Sequence, residues 1–310
     1  MKIVWHDDAG PDLTARLAAL PGLEIAVCPS EDDVRLASLL PDCDVLWHVL
    51  KRCTAEMIAA APKLRLIQKI GVGVNTIDLD AAKARGIPVC NLPGTNSRAV
   101  AELALAMMLA VLRRLPRFDT SIRAGVWTDL ALRDGLGELG GRVVGLVGYG
   151  SVSRLLAPVL AAMGCEVVYT ARHAVAGAVG RFVPLDALLE QSDVVSLHLP
   201  LTEETNGLIG RAALARMKRG AVLINTARGA LVDTTALIEA LRSGQLGGAG
   251  LDVFSDEPPP PGDALMTLDN VVLTPHIAWI TTGTFDRSFG LAAENCRRLA
   301  AGDELLHRVV

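Results

Sequence analysis

Between Val144 and Leu156 the chain reads VGLVGYGSVSRLL, a short apolar run that breaks into closely spaced glycines and resumes with helical spacing. The pattern describes a strand, a tight turn and a helix. Gly148 lets the chain turn sharply, and Gly150 has no Cβ to hold a pyrophosphate off the backbone. The first helical N–H groups, from Ser151 and Val152 onward, then face that anion with the positive end of the helix dipole. The third position of the G-x-G-x-x-G fingerprint is Ser153, so the motif needs its context to carry a dinucleotide. That context comes from polar residues just after later strand-like runs: Thr170 and Arg172, His198, Thr226 and Arg228, Asp252 and Glu257, and His276. Open α/β sheets bind ligands at the carboxyl ends of their strands. One arginine (Arg228), one acid (Glu257) and one histidine (His276) thus converge on the edge that would hold the dinucleotide, a set suited to catalysis.

Each of these residues also has a plainer reading. A lone arginine after a strand is commonly a surface or capping charge, and a lone histidine a satisfied structural residue. Glu257, beside Asp256 and ahead of four prolines, reads by itself as part of a solvated acidic loop. The tight NTARGALVD setting of Arg228, with Gly229 beside it, and Pro275 ahead of His276 favour the functional reading. His198, two residues before Pro200, equally reads as a strand-end residue whose backbone matters more than its ring.

Strand-like and helical runs alternate from the start of the chain. Lys2 to Trp5, Leu23 to Val27, Asp44 to Val49, Leu64 to Ile70 and Ile87 to Cys90 read as strands, with helices over Asp12 to Leu20, Asp32 to Leu40 and Thr54 to Ala61. Such alternation requires a parallel sheet covered on both faces. One long helix is expected over Ala99 to Leu115, ending at Arg113, Arg114 and Pro116, and a mixed, glycine-rich stretch of about 25 residues follows as a crossing between domains. From Arg142 the alternation restarts, with strands at Val143 to Val147, Glu166 to Tyr169, Val194 to Leu197, Ala221 to Ile224, Gly248 to Asp252 and Val271 to Leu273, and helices at Val152 to Met163, Leu185 to Glu190 and Thr234 to Leu241. Six strands with a glycine turn after the first fit a complete dinucleotide-binding domain. At 310 residues the chain exceeds a comfortable single core, and two domains imply a cleft.

Composition narrows the partners. Apolar residues make up 51% and charged residues 21%, with a mean hydropathy of +0.37, as in a globular chain with a large core. The net charge of −4, without a basic block, argues against nucleic acid and for a small ligand. Six cysteines without a C-x-x-C pair read as buried thiols in a reducing, cytoplasmic compartment. MKIVWHDDAG meets two aspartates within eight residues and does not read as a signal peptide. The apolar window Ala99 to Leu112 is too short for a bilayer and carries Glu102, so it reads as a buried helix and no membrane association is expected.

Seven segments in order make the chain resemble the D-isomer-specific 2-hydroxyacid dehydrogenase family: GVGVNTID at Gly71, NLPGTN at Asn91, GLVGYGSV at Gly145, HLPLTEETNGLI at His198, NTARGALVD at Asn225, GLDVFSDEP at Gly250 and TPHIAW at Thr274. The resemblance implies an α/β fold of two Rossmann-like domains with parallel sheets, a flavodoxin-like substrate domain (1–98 and 281–310) and a dinucleotide-binding domain (99–280). It implies that Arg228, Glu257 and His276 are the catalytic set. Arg228 would pair with the carboxylate of a 2-keto acid while polarising its carbonyl, and His276 would supply a proton to the alkoxide, with Glu257 fixing its tautomer. Backbone N–H groups of Val72 and Gly73 would complete the substrate site, with Asn75, Trp47, His48, Leu50 and Trp279 as possible pocket-lining residues and Trp47 and Trp279 open to a core role. Asp252 would orient the nicotinamide carboxamide, and His198, Pro200, Thr205 and Thr226 would line the cofactor side. A homodimer through the helix at Ala99 and its neighbours is expected by the same similarity.

Two departures from the family pattern matter. Ser153 replaces the third glycine, a change a small side chain can accommodate. The second strand of the nucleotide domain ends Tyr169-Thr170-Ala171-Arg172, where NAD-preferring members place an aspartate on the ribose 2′-OH. Arg172 can pair with a 2′-phosphate instead, which resembles the NADP-using glyoxylate and hydroxypyruvate reductases and leads to an expected preference for NADP, with NAD usable. The rivals are a D-3-phosphoglycerate dehydrogenase-like enzyme, which needs basic residues such as Lys51, Arg52 or Lys69 for the phosphate, a phosphite-oxidising relative with a similar catalytic set, and a dinucleotide-sensing, corepressor-like binding protein.

Overall fold

The computed structural model describes all 310 residues and divides into two compact units, Met1–Asn96 with Thr281–Val310, and Ser97–Ile280. The first unit begins β1 (Lys2–His6), α1 (Pro11–Ala18), β2 (Glu24–Cys28), α2 (Asp33–Leu39), β3 (Val45–His48), α3 (Ala55–Ala59), β4 (Leu66–Lys69), α4 (Leu79–Ala84) and β5 (Val89–Cys90). Its five strands lie in the order β2-β1-β3-β4-β5, all parallel, the flavodoxin-like arrangement. Short side chains start the helices: Asp32 accepts from the Arg35 N–H, Thr54 from Met57 and Asp78 from Ala81.

The second unit runs α5 (Ser97–Leu112), α6 (Leu115–Arg123), α7 (Leu130–Arg133), β6 (Val143–Val147), α8 (Ser151–Ala162), β7 (Glu166–Thr170), β8 (Arg181–Phe182), α9 (Leu185–Gln191), β9 (Val194–Leu197), α10 (Arg211–Arg216), β10 (Ala221–Asn225), α11 (Thr234–Arg242), β11 (Leu246–Leu251) and β12 (Val271–Leu273). Its parallel sheet has the order β12-β11-β10-β9-β6-β7-β8, seven strands rather than the six expected. The additional strand, β8, is two exposed residues on the sheet edge and carries no apolar run to announce it. The order reverses between β6 and β9, which places the glycine turn after β6 at the switch point of the sheet.

The single helix expected over Ala99 to Leu115 is two. α5 stops at Leu112, Arg114 adopts a left-handed conformation at φ 49°, and Pro116 opens α6. Pro116 has no N–H to donate to Leu112 O, so α5 cannot run on through it, and the proline is instead accommodated in the first turn of a new helix.

The last helix, α12 (Thr282–Ala301), returns to the first unit. Its Phe289 meets Trp5 edge-on at 5.8 Å and stacks on Trp47 at 5.9 Å. Both tryptophans are fully buried register partners on β1 and β3, so Trp47 belongs to the core. In the second unit α5 lies close on β11 because that strand reads LGGAGL: a Cβ at Gly248 would stand 2.6 Å from Val111 Cγ1 and 2.7 Å from the Asn270 carbonyl oxygen. Gly290, on the exposed side of α12, has no atom within 4 Å of such a Cβ. Gly248→Ala is therefore expected to destabilise by about 1–3 kcal/mol through overpacking, and Gly290→Ala to stabilise by about 0.5–1 kcal/mol through helix propensity; urea unfolding of both variants measures the difference in sign.

Candidate functional site

The glycine turn is held by backbone contacts that exclude a side chain. Gly148 sits at φ +94°, its N–H donates to the Thr170 carbonyl at 2.9 Å, and a Cβ there would lie 2.4 Å from the His198 carbonyl oxygen. Gly150 caps α8 in an extended conformation, with no atom within 4 Å of where a Cβ would be, so an anion can approach the N–H groups of the twelve-residue helix. Ser153 is fully buried and its hydroxyl donates back to the Gly148 carbonyl at 2.6 Å, so the residue in the third glycine's place ties the turn together.

His198 contributes chiefly through its backbone: its N–H continues the strand to Val147 at 2.7 Å, and its carbonyl closes on Gly148. Its ring turns back to the Ser196 hydroxyl at 2.9 Å, and burial pulls its pKa down to about 4, leaving a neutral imidazole. The Thr205 hydroxyl is occupied within its own loop, donating to Pro200 O and accepting from Thr202 N, both at 2.8 Å. Thr226 is buried at the end of β10 with no partner for its hydroxyl. At the end of β7, Thr170 is half-buried and Arg172 exposed. Neither stretch around them, Gly148 to Cys165 or Val167 to Leu185, contains an acidic residue.

Arg228, Glu257 and His276 come together in this unit. Asn225, buried at the end of β10, accepts from Ala227 N at 3.0 Å and donates to Arg228 O at 2.8 Å, which folds the chain back at the arginine. Gly229 then opens a 3-10 turn in which a Cβ would lie 2.0 Å from the Phe254 carbonyl carbon. Only glycine lets these two loops touch, and their contact brings Glu257 within electrostatic reach of Arg228. Glu257 accepts from Phe254 N at 3.0 Å through Oε1 and meets His276 Nδ1 at 2.7 Å through Oε2. Burial opposes its charge, but the hydrogen bond and charge of His276, the Phe254 N–H and the Arg228 charge outweigh that and hold the carboxyl below its ordinary range. Burial likewise lowers the Arg228 pKa, against the raising effect of Glu257.

His276 is held in the left-handed region at φ 54°. Asp252, fully buried, is the reason: its Oδ1 accepts from the Thr274 hydroxyl at 2.5 Å and Ile277 N at 2.8 Å, its Oδ2 from Ala278 N at 2.9 Å, and its carbonyl from His276 N at 2.8 Å. Burial pushes the Asp252 carboxyl up, while these donors and the His276 charge pull the other way. Sequence reasoning set Asp252 among the cofactor contacts and did not anticipate this second task, nor those of Asn225 and Thr274. The spacing NTARG, a buried amide three residues ahead of the arginine, was the available signal for Asn225.

In the first unit, Val72, Gly73 and Asn75 lie in the loop after β4, with Val72 exposed. The loop is anchored by Asn91 Nδ2 donating to Val72 O and Leu92 N to Gly71 O, both at 2.8 Å. His48 is fully buried, its Nε2 donates to Lys51 O at 2.7 Å, and burial drives its pKa well down. Lys51 pairs with Asp33 at 2.8 Å, and buried Lys69 donates to the Val49 carbonyl. All six cysteines are free and buried, and no helix is long and apolar enough to cross a membrane.

Residues 105–278 match the model of the D-isomer specific 2-hydroxyacid dehydrogenase, NAD binding domain. A hydroxypyruvate reductase of Thermotoga maritima is 38% identical over 294 residues, covering 94% of this chain and 95% of that one. A D-3-phosphoglycerate dehydrogenase of Mycobacterium leprae is 39% identical over 307 residues, 98% of this chain, which spans only 54% of that relative's length. Among solved structures, the TT0316 protein from Thermus thermophilus is 40% identical over the whole of both chains with a TM-score of 0.90. With the matched segment spanning every strand from β6 to β12, the chain belongs to the D-isomer specific 2-hydroxyacid dehydrogenase family.

Proposed function

We propose that this protein reduces a small 2-keto acid, of the glyoxylate or hydroxypyruvate type, to the D-2-hydroxy acid with NADPH. The observation that carries the reading is the His276–Glu257 pair at 2.7 Å, with the half-buried Arg228 within electrostatic reach, on the sheet edge that bears the glycine turn. The turn fits a dinucleotide, because the open space at Gly150 faces the amino end of α8; the nicotinamide, when bound, supplies the hydride. Arg228 pairs with the substrate carboxylate and polarises the neighbouring carbonyl, which a planar guanidinium does better than an ammonium. Glu257 engages Nδ1 of His276, so Nε2 is the nitrogen that delivers the proton to the alkoxide. The same reading assigns the N–H groups of Val72 and Gly73, and Asn75, to the substrate, and Gly148, Gly150, Ser151, Val152, His198, Pro200, Thr205, Thr226 and Asp252 to the cofactor.

The preference for NADPH rests on Thr170 and Arg172 in a neighbourhood without acids. A 2′-phosphate there meets an exposed guanidinium that has no carboxylate partner of its own. A phosphoglycerate-type substrate is less well supported, since two of its three basic candidates, Lys51 and Lys69, are engaged with Asp33, Ser30 and Val49. A binding protein that only senses the dinucleotide has no need of a paired histidine and glutamate. A homodimer is supported by the apolar side chains that α6, α7 and their connection expose, Trp127 at 87% and Leu130 at 69% above all.

Steady-state assays of glyoxylate, hydroxypyruvate, pyruvate and larger 2-keto acids with both cofactors test the reading directly. NADPH is expected to exceed NADH in kcat/KM by about 10–100-fold, the worth of one charge-assisted contact; parity, or an advantage for NADH, removes the cofactor preference. Arg228→Lys is expected to lose about 10²–10³-fold in kcat/KM, and near wild-type turnover would rule out the bidentate role. Glu257→Gln removes a charge that stays ionised through neutral pH and favours imidazolium. The limb of the pH profile that reports the Glu257–His276 pair should therefore move to lower pH, and an unmoved limb would take Glu257 out of that role.

A further inference from the structure

The glycine turn carries a side chain that dinucleotide binding alone does not use. Tyr149 stands between Gly148 and Gly150, is 7% exposed, and its hydroxyl both accepts from Val179 N at 2.8 Å and donates to Val179 O at 3.0 Å. Tyr169, the residue before Thr170, grips Val175 in the same way, accepting from its N–H at 2.9 Å and pointing at its carbonyl at 3.5 Å. The two rings lie 4.2 Å apart, and Tyr169 packs on Phe182 at 5.6 Å. On the other side the Arg154 guanidinium lies 5.9 Å from the centre of the Tyr149 ring.

These contacts tie one loop to the phosphate turn. Residues Ala171 to Gly180 form no helix or strand, and apart from Arg172 and His173 they are alanine, valine and glycine. Gly177 and Gly180 have φ of +69° and +110°. Ala171, Val175, Ala178 and Val179 pack half-buried on the core beneath, but side chains this small order a backbone only weakly. The two tyrosine hydroxyls add direct ties to the backbone at Val175 and Val179, and Arg172 stands at the start of the segment. An arginine that must meet a phosphate with both N–H groups loses less freedom on binding when its backbone is already placed. NADH has no 2′-phosphate and draws nothing from that placement.

We propose that Tyr149 and Tyr169 are positioning residues for dinucleotide choice, holding the Ala171–Gly180 loop against the glycine turn so that Thr170 and Arg172 are set for a 2′-phosphate. The proposal rests on the NADPH reading above. The test is Tyr149→Phe, Tyr169→Phe and the double variant, which keep the rings and remove only the hydroxyls, each assayed with NADPH and NADH alongside thermal melting. The ratio of NADPH to NADH efficiency is expected to fall about tenfold in the double variant, through KM for NADPH and not through kcat, with faster amide exchange at Val175 and Val179. A wild-type ratio in folded variants, with only a lower melting temperature, overturns the proposal and leaves the tyrosines as packing. Should the double variant fail to fold, the single variants decide by the same ratio. A wild-type enzyme that prefers NADH removes the cofactor reading and this proposal with it, whereas a wild type that prefers NADPH with an unmoved ratio in the variants removes this proposal alone.

Discussion

The buried carboxylate of Asp252 is the constraint on which the acid–base geometry depends. A charge taken fully out of water is tolerated only where donors surround it, and here the donors all come from the segment that carries His276: the Thr274 hydroxyl and the Ile277 and Ala278 N–H groups. Satisfying Asp252 therefore forces that segment into one turn. The left-handed conformation of His276, which costs a non-glycine residue of order 1–3 kcal/mol, is a consequence of that turn and is sustained by it. With its backbone N–H held by the Asp252 carbonyl, the ring is left to meet Glu257.

Backbone approach sets the other half of the geometry. Gly229 permits the arginine loop to touch the Phe254–Ser255 peptide, and Gly148 permits the phosphate turn to touch the His198 carbonyl. In both cases the absent Cβ brings together loops from different strands, so that functional groups far apart in sequence meet at one sheet edge. Asn225 and Ser153 complete these arrangements by bonding the backbone of the same turns. Arg228 and the glycine turn are thus held by small residues at or near them, of which Asn225, Gly229 and Ser153 touch neither substrate nor cofactor in the proposed reaction.

This explains which features could be read from the sequence. Strands buried on both faces of a parallel sheet are continuous apolar runs, and Val143–Val147 and Val194–Leu197 have the bounds their residues announce. Arg228, Glu257 and His276 were visible because strand ends are where an open sheet places ligands, and the structure puts them side by side. β8 and α10 were not visible: one is two exposed residues, and the other is six residues of RAALAR without a capping side chain. The end of α5 and the turn before α6 were merged because the apolar spacing runs through Leu112 to Leu115, and only the left-handed Arg114 and Pro116 interrupt it. The Asp252 network could not be inferred from spacing at all. Beside the Thr274 hydroxyl, its donors are backbone groups 25 and 26 residues further along the chain, and backbone groups have no residue type.

The electrostatics of the second unit follow from local placement and not from the sum of its charges. The chain is net negative at −4, yet the family's substrates and its cofactor are anions. Screening confines each charge to about 8–10 Å at physiological ionic strength, so the net charge says little about the field at the glycine turn, where the amino end of α8 is open to an anion. The stretches Gly148 to Cys165 and Val167 to Leu185 carry no carboxylate, and Glu166 between them is paired with Arg181. At the opposite end of the edge, Glu257 and Asp252 are the near acids, and each is matched: Glu257 by His276 and Arg228, Asp252 by a hydroxyl and two N–H groups. Their charges are taken up by partners within the protein, in a region that a simple count of charges would make repulsive to an anion.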